Sequence, residues 1–359
     1  MKKVLITGVT GQAGSVMSDF LLESTDNVII GGIRRLSVDN HSNISHIKNN
    51  ERFKLVDLDI TDPVNTERVI QEEKPDYFIN FAANSFVGNS WDMPINHMMT
   101  NAIPVMHQLE AIRKYAPDCR YFNAGSSEEF GNVDYSPQDI NHPQKPRSPY
   151  GISKCTARNV VKVWRESYGL YAVQPFMFNY ESERRGVEFV TRKITQNVAR
   201  IYSEMSNGAV KPMELGNLDS KRDWSYCLDT IKGVWLMLNQ SVPLEVLNDK
   251  DARYWKPKDY VLASGETHSI REFVELAFKE VGIKGEWVGK ELQEEYQTEI
   301  KDLFGNKKIT LVKINPDFYR PAEVSILHGD STPARQELGW EPKTSFQELV
   351  RKMVKNDLT

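Results

Sequence analysis

The sequence predicts an α/β protein, a Rossmann-type doubly wound parallel sheet with a smaller α/β domain attached. Short apolar runs alternate with longer stretches of helical periodicity over the first half of the chain, the pattern of βαβ units. A glycine-bearing loop sits between the first apolar run and the first helical stretch. After about Phe178 the alternation fades and strands become sparse, which marks a change of architecture.

Val4-Leu5-Ile6 reads as a buried strand, and Val16, Met17, Phe20 and Leu21 recur at helical spacing between Ser15 and Leu22. Further strands are expected at Val28-Ile29-Ile30, Phe53 to Leu58, Tyr77 to Phe81 and Tyr121 to Ala124. Helices are expected around Glu67-Arg68-Val69-Ile70 and from Val105 to Lys114. Right-handed crossovers bring the strand C-termini to one edge, where ligands of such sheets bind. Tyr260 to Ala263 reads as one more sheet strand, and the charged stretch from Glu286 to Lys308 as an irregular surface excursion. The expected division is 1–178 plus about 222–265 for the dinucleotide domain, and about 179–221 plus 266–359 for the smaller substrate domain.

A chain of 359 residues is long enough for two cores. Lys and Arg number 45 against 49 Asp and Glu, a net charge of −4. That balance offers no global attraction to nucleic acid or an anionic membrane, so any anion site is local. No apolar stretch reaches the length of a membrane span, and the apolar N-terminal run is too short for a signal peptide. Cys119, Cys155 and Cys227 lie far apart with no CxxC or His-rich spacing. They read as reduced thiols of a cytoplasmic protein, with no metal site.

The loop Gly8-Val9-Thr10-Gly11-Gln12-Ala13-Gly14 follows a strand and opens a helix. Glycine lets the backbone approach a pyrophosphate closely, and the helix N-terminus offers free N–H groups and partial positive charge. Gly8, Gly11, Gln12 and Gly14 are therefore candidates for holding a dinucleotide. The second strand ends in Ile33-Arg34-Arg35-Leu36-Ser37. A carboxylate there would bind the ribose hydroxyls of NAD, whereas Arg34 and Arg35 suit the 2′-phosphate of NADP. Asp59-Ile60 ends the third strand where an adenine could be held.

Tyr150-Gly151-Ile152-Ser153-Lys154 is a Tyr-x-x-x-Lys element. On a helix that spacing puts Tyr150 and Lys154 on one face. A free phenol with a pKa of about 10 is a poor base at neutral pH. A neighbouring ammonium stabilises its phenolate, which can then take a proton from a substrate hydroxyl. Ser126, in the Gly/Ser loop after the fifth strand, completes a Ser–Tyr–Lys set. Alone, a serine there is an ordinary turn former and Tyr-x-x-x-Lys is frequent by chance; the glycine loop upstream makes the combination specific.

These residues resemble the extended short-chain dehydrogenase/reductase family and, within it, the GDP-mannose 4,6-dehydratases. The similarity is carried by Gly8 to Ser15, Ile33-Arg34-Arg35, Ser126-Ser127-Glu128, Phe178 to Gly186, Phe189 to Ile194, Leu215 to Trp224 and Arg320 to Val324. It covers nearly the whole chain apart from the region near Glu286 to Lys308. It implies oxidation of a GDP-sugar at C4, loss of water across C5 and C6, and return of hydride to C6, with NADP regenerated. Glu128 fits the C5/C6 acid–base role, ahead of Glu129, and Ser126, Tyr150 and Lys154 complete the catalytic set. The implied cofactor set adds Ala82, Ala83 and Arg185. Lys193, Lys221, Arg222 and Arg320 are cations suited to a nucleotide diphosphate. The resemblance adds Ser85, Asn179, Val190, Gly216 and Glu323 to the substrate site, and implies a homotetramer in which the Arg34–Asn43 loop reaches a neighbour. Ser126 stands where the family has threonine and Ala13 where it has aspartate. Phe86 and Tyr180 stand where it has histidines, and Asp317 where arginine is common.

Three activities suit this pattern. The first is a GDP-mannose 4,6-dehydratase, with GDP-manno-heptose as an alternative substrate. The second is a sugar-nucleotide 4-epimerase or 4-oxidase, which needs the Ser–Tyr–Lys set but not Glu128. The third is an NADP-binding sensor, which would not need both Tyr150 and Lys154.

Overall fold

The computed structural model describes residues 1–38, 40–205, 210–241, 255–302, 305–319 and 324–359. The chain begins with β1 (Lys3–Thr7), whose Val4, Leu5 and Ile6 are fully buried, each worth roughly 1.5–3 kcal/mol of apolar transfer. There follow α1 (Gln12–Ser24), β2 (Val28–Ile33), β3 (Phe53–Asp57), α2 (Pro63–Glu73) and β4 (Tyr77–Asn80). Next come α3 (Pro94–Asn101), α4 (Ile103–Tyr115), β5 (Arg120–Asn123), α5 (Pro149–Tyr168) and β6 (Ala172–Val173). Local chemistry sets the helix ends. Asp62 accepts from the Val64 and Asn65 amides at the start of α2, and Ser148 Oγ accepts from Gly151 N at 3.0 Å at the start of α5. Gly169, with φ +69°, closes α5.

The strands form one parallel sheet in the order β3-β2-β1-β4-β5-β6. The order reverses between β1 and β4, and the helices leaving them on opposite faces open a crevice at the strand C-termini. The polar residues Thr7, Asn80 and Asn123 are in register across β1, β4 and β5 at that edge. One core packs Val4, Ile6, Met17 and Ile79 with the later helix α7 (Cys227–Leu238), while Leu5, Phe78, Leu109 and Val161 fill the other face.

Pro175 has no N–H and interrupts the next strand. The chain resumes as β7 (Phe176–Met177), which pairs parallel with a strand at Val261–Leu262, the strand read in the sequence at Tyr260 to Ala263. β8 (Asn179–Glu181) then leads to α6 (Val190–Met205) and the short strands β9 (Met213–Leu215), β10 (Lys221–Arg222) and β11 (Trp224–Tyr226). With the Val261–Leu262 strand as β12, there follow β13 (His268–Ser269), α8 (Ile270–Glu280), β14 (Glu286–Val288), β15 (Glu295–Asp302), β16 (Gly305–Ile314) and β17 (Ile326–Leu327). The last helices are α9 (Thr332–Leu338) and α10 (Phe346–Asp357). A separate core joins Ile194, Val198, Trp224, Phe273 and Val350, whereas Ala334 and Trp340 pack into the first.

The stretch from Glu286 to Lys308, read as irregular, instead contributes to a sheet in the order β14-β15-β16-β9. Its alternation was hidden by charge on the outer face: Tyr296, Thr298 and Ile309 are buried between exposed or half-buried polar neighbours. Among the described residues no helix is long and apolar enough to cross a membrane.

Candidate active site

A cleft of about 700 Å³ opens at the C-terminal edge of the sheet. The glycine loop forms one wall. Gly8 has φ +66°, and a Cβ there would lie 2.8 Å from the Ala82 amide. At Gly14 a Cβ would lie 2.3 Å from the Gly8 carbonyl, so both positions require glycine. No side chain caps α1 among the described residues, so its first N–H groups face the cleft edge. Gln12 is held rather than free: its amide donates to the Tyr180 carbonyl at 3.0 Å and accepts from Ser182 Oγ at 2.7 Å. Asn43 Nδ2 donates to the Thr10 carbonyl at 2.9 Å and ties the loop after β2 to it.

Gly8, Gly11, Gln12, Gly14, Asp59 and Ile60 line the cleft, as do Ala82, Ala83 and Ser85. Asp59 Oδ1 accepts from Thr61 N and Oγ1, at 3.0 and 2.7 Å. Of the paired arginines, Arg34 lines the cleft; Arg35 is exposed and lies outside its lining.

The opposite wall carries Ser126, Glu128, Tyr150 and Lys154. Ser126 caps the short turn Ser127–Glu129 after β5, its Oγ accepting from Glu128 N at 3.2 Å. Tyr150 and Lys154 face the cleft from the first turns of α5. Lys154 Nζ donates to the Ala124 carbonyl at 2.8 Å and lies 5.7 Å from the centre of the Tyr150 ring. Burial pulls the Lys154 ammonium down to about 8, against the Glu129 carboxylate, which holds it up. Burial pushes the Tyr150 phenol up to about 12; a hydrogen bond shared with Ser126 works against that, and the Glu128 and Glu129 carboxylates add to it. The phenol is thus protonated at neutral pH, and a cation brought to its side favours the phenolate. Glu129 is fully buried against Arg158 at 2.6 Å, while Glu128 lines the cleft.

Asn179, Arg185 and Arg222 also reach the cleft. The Arg185 guanidinium lies 3.5 Å from the centre of the Phe189 ring and 3.1 Å from Glu181. Phe189 meets Phe86 edge-on at 5.8 Å, so the position of Phe86 forms part of an aromatic rim. Lys221 and Arg222 are neighbours on β10 and point to opposite faces: Arg222 is buried in the lining, Lys221 exposed outside it. Val190, Lys193 and Gly216 lie beyond the lining, with Lys193 Nζ 3.7 Å from the Phe318 ring centre and Gly216 packed under the Phe318 backbone. Arg320 and Glu323 lie outside the described residues.

Sequence reading missed a buried polar floor. Thr7 Oγ1 donates to Asn80 at 2.6 Å, Asn80 to Asn123 at 2.7 Å, and Asn123 to Gln174 at 2.7 Å. A polar residue closing a strand of apolar ones is the signal that could have found Asn80 and Asn123. It also missed His97, 1% exposed on α3, whose ring meets Tyr150 edge-on at 6.1 Å. Burial, then the Lys154 charge, holds its imidazole below the ordinary histidine range. A single histidine in a helical pattern gives no such signal.

A doubly wound sheet with a glycine loop at its switch point, and a Tyr–Lys pair facing it from the helix after β5, defines the extended short-chain dehydrogenase/reductase class. A family model described as GDP-mannose 4,6 dehydratase matches residues 5–353. A GDP-mannose 4,6 dehydratase of Drosophila melanogaster is 40% identical over 365 residues, covering 99% of this chain and 86% of the relative. The chain belongs to the GDP-mannose 4,6-dehydratase family. Solved structures share the fold at lower identity. A dTDP-glucose 4,6-dehydratase from Bacillus anthracis in complex with NAD is 19% identical with a TM-score of 0.76, over 99% of this chain and 96% of that one. RMD from Pseudomonas aeruginosa complexed with NADPH is 17% identical with a TM-score of 0.74, over 100% and 99%.

Proposed function

We propose that this chain converts GDP-mannose to GDP-4-keto-6-deoxymannose. The observation that carries this reading is that Glu128 lines the same cleft as Tyr150 and Lys154. Oxidation at C4 alone needs only the phenol and its cation, as in a 4-epimerase; a carboxylate beside them supplies the base that elimination needs. Bound NADP supplies the chemistry of accepting hydride from C4 and returning it at C6. The glycine cradle and the uncapped α1 N-terminus suit its pyrophosphate, and Arg34 supports the choice of NADP over NAD.

In this reading Tyr150 takes the proton of the C4 hydroxyl, Lys154 stabilises the phenolate, and Ser126 holds the phenol by its hydrogen bond. The resulting ketone acidifies C5–H. Glu128 removes that proton and passes it to the C6 oxygen, which leaves as water. When hydride returns to C6, C5 takes up one proton, equal in number to the one Tyr150 removed from the C4 hydroxyl, so the protein ends in its starting protonation state. Ser85, Asn179 and Arg222 line the substrate end, and Val190, Lys193, Gly216 and Lys221, with Arg320 and Glu323, extend it towards the nucleotide. A homotetramer is part of the reading, supported by Leu36 and Val38, 45% and 78% exposed on the loop after β2. A cytoplasmic location is supported by three unpaired thiols among the described residues.

The test is incubation with NADP+ and either GDP-mannose or GDP-manno-heptose, followed by mass analysis of the sugar nucleotide. A 6-deoxy-4-keto product from GDP-mannose is expected. A 4-epimer formed without loss of water, or turnover of the heptose alone, would overturn the reading.

A further inference from the structure

We propose that Glu129 and Arg158 are a positioning pair, which fixes the Ser126–Glu128 turn against α5 and the Gln174–Pro175 backbone. The proposal rests on the dehydratase reading of the same cleft. Glu129 cannot serve as a second acid–base group, because both its oxygens are filled. Oε2 accepts from Arg158 Nε at 2.6 Å and Gln144 Nε2 at 3.2 Å. Oε1 accepts from the Ser126 amide at 2.8 Å, Arg158 Nη2 at 3.2 Å and Gln174 Nε2 at 3.3 Å.

Arg158 lies one helical turn beyond Lys154 on α5. Its Nη1 donates to the Gln174 carbonyl at 2.6 Å and its Nη2 to the Pro175 carbonyl at 3.1 Å, at the break between β6 and β7. Gln174 Nε2 also donates to the Lys154 backbone carbonyl at 3.1 Å. The pair therefore joins three elements: the turn carrying Ser126 and Glu128, the helix carrying Tyr150 and Lys154, and the strand broken at Pro175 between β6 and β7. Gly125, just before Ser126, is pressed onto the same point: a Cβ there would lie 2.0 Å from the Pro175 carbonyl and 3.0 Å from Arg158 Nη2.

A buried ion pair of this kind is a poor source of net stability, since desolvating both charges offsets their attraction. Its effect lies in where it aims the groups around it. The charged and titratable groups facing Tyr150 and Lys154 include Glu128 and Glu129 from the turn, His97 from α3, Tyr180 from β8 and Arg185 from the segment after β8. Of these, Glu129 opposes the loss of the Lys154 proton that burial favours. Removing its charge moves the deprotonation of Lys154 to lower pH.

The test compares Glu129→Gln and the double variant Glu129→Gln/Arg158→Gln with the parent. The double variant leaves no lone buried charge and decides the matter where the single one folds poorly. Thermal unfolding, kcat and KM for GDP-mannose across pH, and hydrogen exchange in a peptide spanning Asn123 to Gly131 are measured. Expected for the double variant is a melting temperature near the parent's, a kcat lower by about tenfold or more with KM little changed, an alkaline limb moved to lower pH, and faster exchange at the Ser126 amide. A folded double variant with parental kcat, an unmoved limb and parental exchange would overturn the proposal. A parent that does not dehydrate GDP-mannose overturns the dehydratase reading instead, and the exchange measurement then still decides whether the pair holds the turn.

Discussion

Lys154 lies one helical turn beyond Tyr150, its Nζ 5.7 Å from the centre of the phenol ring and bonded to the Ala124 carbonyl at 2.8 Å. The cation is held on the face of α5 that lines the cleft, close to a phenol which burial keeps protonated. Burial sets the two groups' pKa values about 12 and about 8, the phenol above the ammonium. The phenol does not ionise on its own near neutral pH, and the chemistry depends on the ammonium keeping its proton.

That gives a sign for the pH dependence. The Lys154 charge is present below about 8 and is lost as pH rises through that value. kcat/KM for GDP-mannose should therefore fall on the alkaline side near that pH. A rate that climbs steadily well beyond it, measured at constant ionic strength, contradicts the assigned role of Lys154.

Tyr150→Phe and Glu128→Gln should fail at different steps. Tyr150→Phe should lower turnover by about 10²–10⁴-fold and leave no transient nicotinamide reduction in rapid mixing. Glu128→Gln keeps size and loses only the ionisable group. It should still reduce the bound nicotinamide to some extent, yet lose no water from the sugar. Dehydration at the parent rate in that variant would assign the base elsewhere.

The two arginines after β2 should not be equivalent. Arg34 lines the cleft and Arg35 does not. Arg34→Ala should weaken NADP binding by about tenfold or more, with NAD binding little changed, since a charged hydrogen bond is worth about 1.5–3 kcal/mol. Arg35→Ala should cost less. Titration of the apo protein with both cofactors reads this directly; parental NADP affinity in Arg34→Ala removes that residue from the site.

Lys221 and Arg222 should differ for the same geometric reason. Arg222 is buried in the cleft lining and Lys221 faces away. Calorimetric titration with GDP should show a clear loss of affinity in Arg222→Ala and little change in Lys221→Ala. The reverse order would place the nucleotide on the other face of β10.

Much of this was legible in the sequence because the governing signals are local. The apolar run Val4-Leu5-Ile6, the glycine loop and the Tyr150–Lys154 spacing each specify their own backbone and position. The hairpin of β15 and β16 was not legible, because its charged outer face broke the apolar run that marks a buried strand. Nor was the split between Lys221 and Arg222, since facing depends on which strands β10 pairs with. The floor of Thr7, Asn80, Asn123 and Gln174 depends on four distant segments meeting. No spacing rule connects residues so far apart in the chain.

The proposed reaction is an internal redox cycle in which one hydrogen leaves C4 and returns at C6 while water is lost between them. GDP-mannose carrying deuterium at C4, incubated with the protein and catalytic NADP+, tests it most directly. The expected product is a 4-keto-6-deoxy sugar nucleotide that retains the deuterium, now at C6, with no net accumulation of NADPH. Deuterium released to NADPH or solvent, or recovered at C4 of an epimer that has lost no water, would contradict it.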